Sequence, residues 1–384
     1  HNSLAYLYQT LGDQKDAIKH YSKAIQLLDS KTDPDLLDKE NIAHLYSSRA
    51  HSNMLLEEAD QALESISTAS KLYSELIDNN KELRAFLALS HFNLASLILQ
   101  KRDFYLAKKE LKSAISLYEK LIDDKQVKFL PYVANAYTSL AQIHEEESDL
   151  YTAYLFYKRS MRVFKELSNE NPGMYLPYLA ASYNNMAICQ KGLDEAENAT
   201  QYFEESLAIY KTLAQKAPKE FKAFLAANYN SLGVLYTDLD EKDKGVDYYE
   251  KALEIYTALS DESPAEYLHY KATCLHNLGV IHDEKQDHSK AMEYYVLAKE
   301  LRQELVEKEP DAFTLDLCVT LMNIVTLYHT RIEKEKDMTL TPLALELLDE
   351  VERRLYYVED TMPVIKSLKS DVEYFREFFT EISY

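Results

Sequence analysis

The amino-acid sequence predicts an all-α protein, a solenoid of about eight helix pairs followed by one further helix at the C-terminus. One apolar phrase recurs at a fixed stride, as "YLAASYNNMAICQ" at 178–190, "FLAANYNSLGVLY" at 224–236 and "YKATCLHNLGVIH" at 270–282. The 384 residues include only six Gly and nine Pro, which is about a third of average usage and favours long helices over turns. Within the phrase, apolar residues recur at steps of three and four, which is the periodicity of a helix.

Each repeat contains one small residue near the end of this phrase, which we call the anchor. Successive anchors are 45 or 46 residues apart. A period of this length is typical of a solenoid, in which one helix pair cannot bury its own apolar faces and stacks on its neighbours. The predicted anchors are Ala5, Ala50, Ala95, Ala141, Ala187, Gly233, Gly279 and, less regularly, Val325.

Each repeat is predicted to form two helices joined by a polar turn. In the seventh repeat, "YLHYKATCLHNLGVIHDE" forms the first helix and "KAMEYYVLAKELRQELVEKE" the second, with the turn at 283–289 between them. Pro310 ends the second helix, because proline cannot continue a helix interior. Asp149, Asp287 and Ser289 are expected to cap second helices, since their side chains can accept hydrogen bonds from free amides.

The pattern around each anchor resembles the tetratricopeptide repeat family over about residues 1–310. In the sixth repeat the matching positions are Tyr229, Leu232, Tyr236, Gly245, Tyr249 and Ala252. The resemblance implies a right-handed α-α superhelix whose first helices line a concave groove. The usual repeat has about 34 residues, so both helices are expected to be longer here. Such long repeats are similar to arrays in kinesin light chains and in bacterial signalling or defence proteins.

The C-terminal part of the chain departs from the pattern. The turn of the last repeat, "HTRIEKEKDMTLTP", is longer by about seven residues than the others, and Ala344 takes the small position of the second helix. Because the ends of a solenoid must be covered, we predict a repeat array over residues 1–360 and a capping helix over residues 361–384.

Composition limits the partner and the compartment. The formal net charge is −21; residues 1–130 contain 17 basic and 19 acidic residues, whereas residues 131–384 contain 26 and 45. The acidic residues recur in the turns, where they are expected to form a solvated negative edge. We therefore expect a neutral to basic protein or peptide partner and no nucleic acid.

No membrane insertion is expected, and self-association through Tyr-rich faces stays open. Three scattered cysteines favour a cytoplasmic location, and the first residue, His1, leads us to expect a trimmed N-terminus.

The candidate binding residues form a column on the first helices, two or three positions before each anchor. They are Asn93, Asn184, Asn185, Asn230, Asn277, His276 and Asn323. The family resemblance implies that these positions face the concave groove, where an Asn side chain can donate to and accept from a peptide backbone. The alternative is that the same side chains tie neighbouring helices together. The sequence alone leaves both interpretations open.

The sequence contains no pattern typical of an enzyme, a metal site or a cofactor site. It has no Walker loop, no GxGxxG, no GxSxG and no zinc helix. We therefore predict a non-catalytic protein-interaction scaffold that docks a partner segment in its concave groove and needs no metal or cofactor. The alternative function is the ligand- or protein-sensing part of a larger signalling or defence protein.

Overall fold

The computed structural model describes residues 1–31, 33–356, 358 and 362–382. Within these residues the protein consists of α-helices and short 3-10 turns, with no β-strand. Contacts between helices divide the chain into two compact units, residues 1–195 and 196–384. The two units are described separately below.

The first unit contains four complete helix pairs and the first helix of the fifth pair. Each helix packs against the next one along the chain. Short 3-10 turns at Lys81–Leu83 and Val127–Phe129 lead into two of the first helices. The helices are α1 Asn2–Thr10, α2 Gln14–Asp29, α3 Leu36–Leu55, α4 Ala59–Leu76, α5 Arg84–Gln100, α6 Phe104–Asp123, α7 Leu130–Glu146, α8 Leu150–Glu170 and α9 Pro172–Gly192.

The second unit continues the same order, beginning with the second helix of the fifth pair. Its helices are α10 Ala196–Lys216, α11 Pro218–Asp238, α12 Lys242–Glu262, α13 Pro264–Glu284, α14 His288–Lys308, α15 Pro310–Glu335, α16 Thr341–Leu355 and α17 Pro363–Glu381. Successive helices again pack on one another. The predicted all-α class, built from helix pairs packed in sequence, is confirmed. Most helices of the later repeats have 21 residues, as the long repeat predicts.

The anchors are the points where the two helices of a pair approach each other. All eight predicted anchors are buried. A Cβ atom on Gly233 would lie 2.6 Å from ring carbons of Tyr249, and one on Gly279 would lie 2.5 Å from those of Tyr295. In the first repeat, Ala5 belongs to the same core cluster as Tyr21. A small residue in the first helix therefore makes room for the side chain sixteen residues later.

The turn inside each of the first seven repeats has the same backbone geometry. The residue seven positions after the anchor has positive φ, the left-handed region that most residues avoid. Only the first repeat places glycine there, Gly12 with φ 84°. The next residue directly precedes the second helix, and the predicted caps Asp149 and Asp287 are confirmed at this position. The prediction for Ser289 is wrong, because Asp287 already accepts the Lys290 N–H and the helix begins at His288. In the eighth repeat the left-handed residue is Lys336, eleven positions after Val325.

The C-terminal end has the additional helix that the sequence predicts. The long turn extends α15 to 26 residues, and Ala344 in α16 is fully buried. Helix α17 packs against α15 and α16, and it buries Leu368, Val372 and Phe379. The predicted boundary between residues 360 and 361 lies outside the described residues, as do residues 383–384, so the division into array and cap stays a prediction.

Two helical segments are long and apolar enough to cross a membrane by length and composition alone, Lys81–Gln100 and Pro310–Glu335. Both contain helices that pack between neighbours in the array: α5 contacts α4 and α6, and α15 contacts α14, α16 and α17. Each of these apolar helices therefore packs against other helices of the protein on more than one side.

We predict that Gly233→Leu lowers the free energy of unfolding by about 2 kcal/mol or more, because the larger side chain would overlap the Tyr249 ring. Thermal melting followed by circular dichroism measures the effect. Gly173→Leu is the matched control, since a Cβ atom there meets nothing closer than 3.8 Å. Equal melting temperatures for the two variants would show that the anchor contact is not a close approach.

We also predict that Ser148→Gly stabilises the protein by about 0.5–1 kcal/mol, because Ser148 has φ 62° and glycine adopts this conformation without steric cost. Urea denaturation is the measurement. Ser116→Gly, at an exposed position inside α6, should instead destabilise by up to about 0.5 kcal/mol. A loss of stability in Ser148→Gly would contradict the proposed strain.

Candidate partner-binding surface

Five first helices each expose one aromatic ring, always nine positions before the anchor. We call these rings the aromatic ladder; each is separated from the next by 46 residues. Their exposed fractions lie between 43% and 52%, so each ring is neither core nor free surface. Three rings belong to the first unit and two to the second. The ladder comprises Phe86, Tyr132, Tyr178, Phe224 and Tyr270.

Each ladder ring is held by a buried ring from the preceding second helix. The ring centroids are 5.1–5.8 Å apart in all five pairs. The buried partners are at most 5% exposed. They are Tyr73, Tyr118, Phe164, Tyr210 and Tyr256. Each ladder ring is therefore partly packed and partly solvated, so the ring is oriented before any partner arrives.

The aromatic ladder and the Asn-column residues two positions before the anchor lie on the same face of the first helices, whereas Asn184, Asn230 and His276, three positions before it, lie about 120° from the rings. At roughly 100° per residue, positions nine, six and two before the anchor fall within about 60° of one another. Position six before the anchor is small in two repeats, where Ala181 and Ala227 are exposed. We call this face, defined by those three positions, the first-helix stripe. Along the helix the aromatic ring comes first, the position that can leave room for a partner backbone comes next, and the polar side chain comes last.

All seven predicted binding residues are half-buried, and several of them join neighbouring repeats. The Asn277 amide donates to Asn230 Oδ1 at 3.2 Å, which links α13 to α11. His276 Nδ1 lies 3.2 Å from Thr320 Oγ1, which links α13 to α15. The side chains of Asn230, Asn277 and His276 therefore link neighbouring first helices. Their role in partner binding stays a prediction.

The other members of the Asn column differ in their contacts. The Asn323 side chain lies near the Tyr295 hydroxyl of the preceding second helix, where it offsets part of the effect of burial that raises the pKa of Tyr295. Asn184 also has a partner within the protein. For Asn93 and Asn185, the described residues offer no side-chain hydrogen bond. These two amides therefore remain the best candidates for contact with a ligand.

A cavity in the first unit opens between two consecutive ladder rings. It has a volume of about 650 Å³ and lies between the N-terminal parts of α5 and α7. Phe86 and Tyr132 line it together with Tyr118 and Phe129. The charged residues on its lining are Glu82 and Lys128, whose charges balance. The cavity is thus an aromatic notch without net charge.

The ladder ends at the eighth repeat, where a charged pair takes the place of two rings. Arg302 occupies the register position of the buried rings, and Asp316 that of the exposed ones. The Arg302 guanidinium is 5% exposed and donates to the Asp316 carbonyl oxygen at 2.7 Å and to Thr320 Oγ1. Burial, together with the nearby Arg302 charge, lowers the pKa of His276 to about 3. His276 is therefore neutral at physiological pH.

The acidic turns are partly paired with cations from adjacent repeats. In the first unit Lys101 contacts Asp60 at 2.7 Å and Arg102 contacts Glu146 at 3.1 Å. In the second unit Lys242 lies 3.6 Å from Glu284. Such exposed ion pairs contribute at most about 1 kcal/mol each to stability. They place positive side chains among the acidic residues of these turns.

The described residues contain no cluster of three or more His, Cys, Asp or Glu side chains that could hold a metal ion. Burial raises the pKa of the Cys189 thiol to about 11 and that of the Cys274 and Cys318 thiols to about 12. A buried protonated thiol is a poor nucleophile. The three cysteines therefore serve as small core residues.

Sequence reasoning missed the aromatic ladder, although its signal is present in the sequence. The small residues and the Asn column stand close to each anchor, whereas the five ladder rings lie near the start of their first helices, outside the family motif. Tyr137 and Tyr183, four positions before their anchors, recur at the same stride and are buried. Exposure, which separates the ladder from such rings, is a property of the packed array.

Comparison with known proteins supports the repeat assignment. Residues 224–304 and residues 1–27 match two models of the tetratricopeptide repeat. BtubC (BKLC) from P. vanneervenii is 23% identical, with a TM-score of 0.51 over 64% of this chain and 92% of that chain. The apo form of RapI is 13% identical, with a TM-score of 0.56 over 80% of this chain and 97% of that chain. No curated protein matches the chain. The resemblance to the tetratricopeptide repeat family is confirmed, and the two structures show the fold.

We predict that Asn277→Ala lowers the free energy of unfolding by about 1 kcal/mol, because it removes the hydrogen bond to Asn230 between neighbouring repeats. Asn93→Ala is the matched control, and its stability should stay within about 0.5 kcal/mol of the parent. Urea denaturation of both variants makes the comparison. Equal losses would show that the two amides have the same structural role.

Proposed function

We propose that this chain is a non-catalytic docking module that binds an extended segment of a partner protein along the first-helix stripe. Tetratricopeptide repeat proteins in general bind protein partners, and stacked repeats form extended binding surfaces. The aromatic ladder is the observation that supports the proposal most directly. Five half-exposed rings recur at one register position on the same face of consecutive first helices.

The ladder has the properties of a binding surface with a low entropic cost. Each ring is fixed by its stack on a buried ring, so binding orders few side chains. Aromatic rings are the commonest residues whose truncation strongly weakens protein interfaces. The exposed Ala181 and Ala227 leave space beside the rings for a partner backbone.

Polar residues on the same stripe can form hydrogen bonds with the backbone of the partner segment. Asn93 and Asn185 are half-buried on the same helix face as the rings. Each amide can donate and accept at once, and each hydrogen bond contributes about 1 kcal/mol. A segment that lies across the stripe would then place apolar side chains on the rings and its backbone near the amides.

The charge of the chain limits the partner. Most of the net charge of −21 belongs to residues 131–384. A neutral to basic segment is therefore expected, because a strongly acidic one would be repelled during encounter. The sensing function in a larger protein stays a prediction from the family resemblance.

The test uses peptides of about twelve residues selected from a random display library against the whole chain. We expect Phe224→Ala and Tyr270→Ala each to weaken binding of the selected peptides by about tenfold, because each removes a ring of the ladder. Fluorescence anisotropy with labelled peptide gives the affinities, and circular dichroism verifies the fold.

Tyr151→Ala is the matched control, since Tyr151 is 66% exposed on the second helix α8, away from the ladder. It should leave the affinities unchanged. Selected peptides that bind the ladder variants as tightly as the parent would exclude the first-helix stripe as the docking surface.

A further inference from the structure

We infer that the aromatic ladder of the first unit recognises uncharged proline-rich segments in the polyproline II conformation, with a proline at every third position. The inference rests on the proposed function and names the partner class of the same surface. It depends on the spacing of the rings, the hydrogen-bonding character of the stripe and the aromatic notch between α5 and α7.

At the usual distance between packed helices, the ladder would have one ring for each turn of a polyproline II helix. First helices of consecutive repeats are neighbours: Gln9 of α1 donates to Ser52 of α3 at 3.0 Å, and Phe86 of α5 and Tyr132 of α7 line one cavity. Packed helices have axes about 8–10 Å apart. A polyproline II helix rises about 9 Å in its three-residue turn. An α-helix repeats every 5.4 Å or so and a strand about every 6.7 Å on one face, so neither matches one ring per turn.

The hydrogen-bonding groups on the stripe also suit such a segment. A polyproline II backbone makes no internal hydrogen bonds, and proline has no N–H, so its carbonyl oxygens need donors. The corresponding positions of the first unit supply the amides of Asn93 and Asn185 and the hydroxyl of Ser139. Grooves that bind proline-rich segments combine aromatic walls with such donors.

The notch between Phe86 and Tyr132 provides a place for one proline ring. Four aromatic side chains line the cavity of about 650 Å³, and its single acidic and single basic residue leave no net charge. An uncharged apolar ring fits this chemistry better than a lysine or an arginine, because a second cation would share the single carboxylate, Glu82, with Lys128 and would lose hydration against the aromatic walls. The notch therefore favours proline over a basic side chain.

The probe is a labelled peptide of about twelve residues with proline at every third position and Ser and Ala between, which gives about four turns. Its controls are a peptide with the same composition and proline at every fourth position, and a peptide with Ala in place of every Pro. Fluorescence anisotropy measures binding of all three peptides to the full chain.

We expect the first peptide to bind at least about tenfold more tightly than either control. Phe86→Ala and Tyr132→Ala should each weaken its binding by about tenfold. Tyr132→Phe should retain most of the affinity, because the ring is kept, and Tyr105→Ala should have no effect, since Tyr105 is 77% exposed on α6 outside the ladder. Affinities at about 50 mM and about 500 mM sodium chloride should agree within about twofold, because the notch has no net charge.

Equal binding of the three peptides, or strong loss of binding at high salt, would overturn the inference. If the proline peptide fails to bind while library-selected peptides without proline require Phe224 and Tyr270, the proposed function stands and the proline preference is wrong. If neither class of peptide depends on the ladder, both proposals fail. Should Tyr132→Ala prove unfolded by circular dichroism, Phe86→Ala and the comparison of the three peptides on the parent chain decide the question.

Discussion

The array depends on the contact between a small anchor and the side chain sixteen residues later in the same repeat. At Gly233 and Gly279 even a methyl group would lie within about 2.6 Å of a tyrosine ring carbon. Two helices can approach this closely only where one of them lacks bulk. The contact buries Tyr249 and Tyr295 almost completely. It therefore determines both the distance between the two helices and the rotation of each helix about its axis.

Two further features follow from this fixed rotation. The chain must reverse within a few residues after the first helix, and it does so through one left-handed residue, even where that residue is Glu57 or Asp240 and not glycine. The rotation also sends one column of first-helix side chains toward the preceding repeat, where Tyr132 and Tyr270 stack on buried rings. The ladder and the turns are thus consequences of the same packing constraint.

The sequence predicted the helix pairs, their anchors and the additional C-terminal helix, because each depends on local spacing of small and apolar residues. It could not predict the tie between Asn230 and Asn277, since two side chains 47 residues apart meet only when the pitch of the stack is known. Ser289 was misassigned as a cap because sequence alone does not say which of two nearby polar residues precedes the first helical turn. The sequence also could not predict that the ladder rings are exposed, because the family motif begins about one helical turn after these rings.

The ladder is not explained by folding alone, because two repeats pack without it. At the same register position the second repeat has Asn41 and the eighth has Asp316, and both side chains are exposed. The helices that contain them, α3 and α15, pack against their neighbours as the others do. In the eighth repeat the buried ring beneath is also replaced, by Arg302, which is satisfied by a carbonyl oxygen and a threonine hydroxyl. The helices can therefore pack without a half-exposed ring at this position. Its recurrence in five successive repeats points to a contact outside the fold, and the solvated faces of these rings are available for that contact.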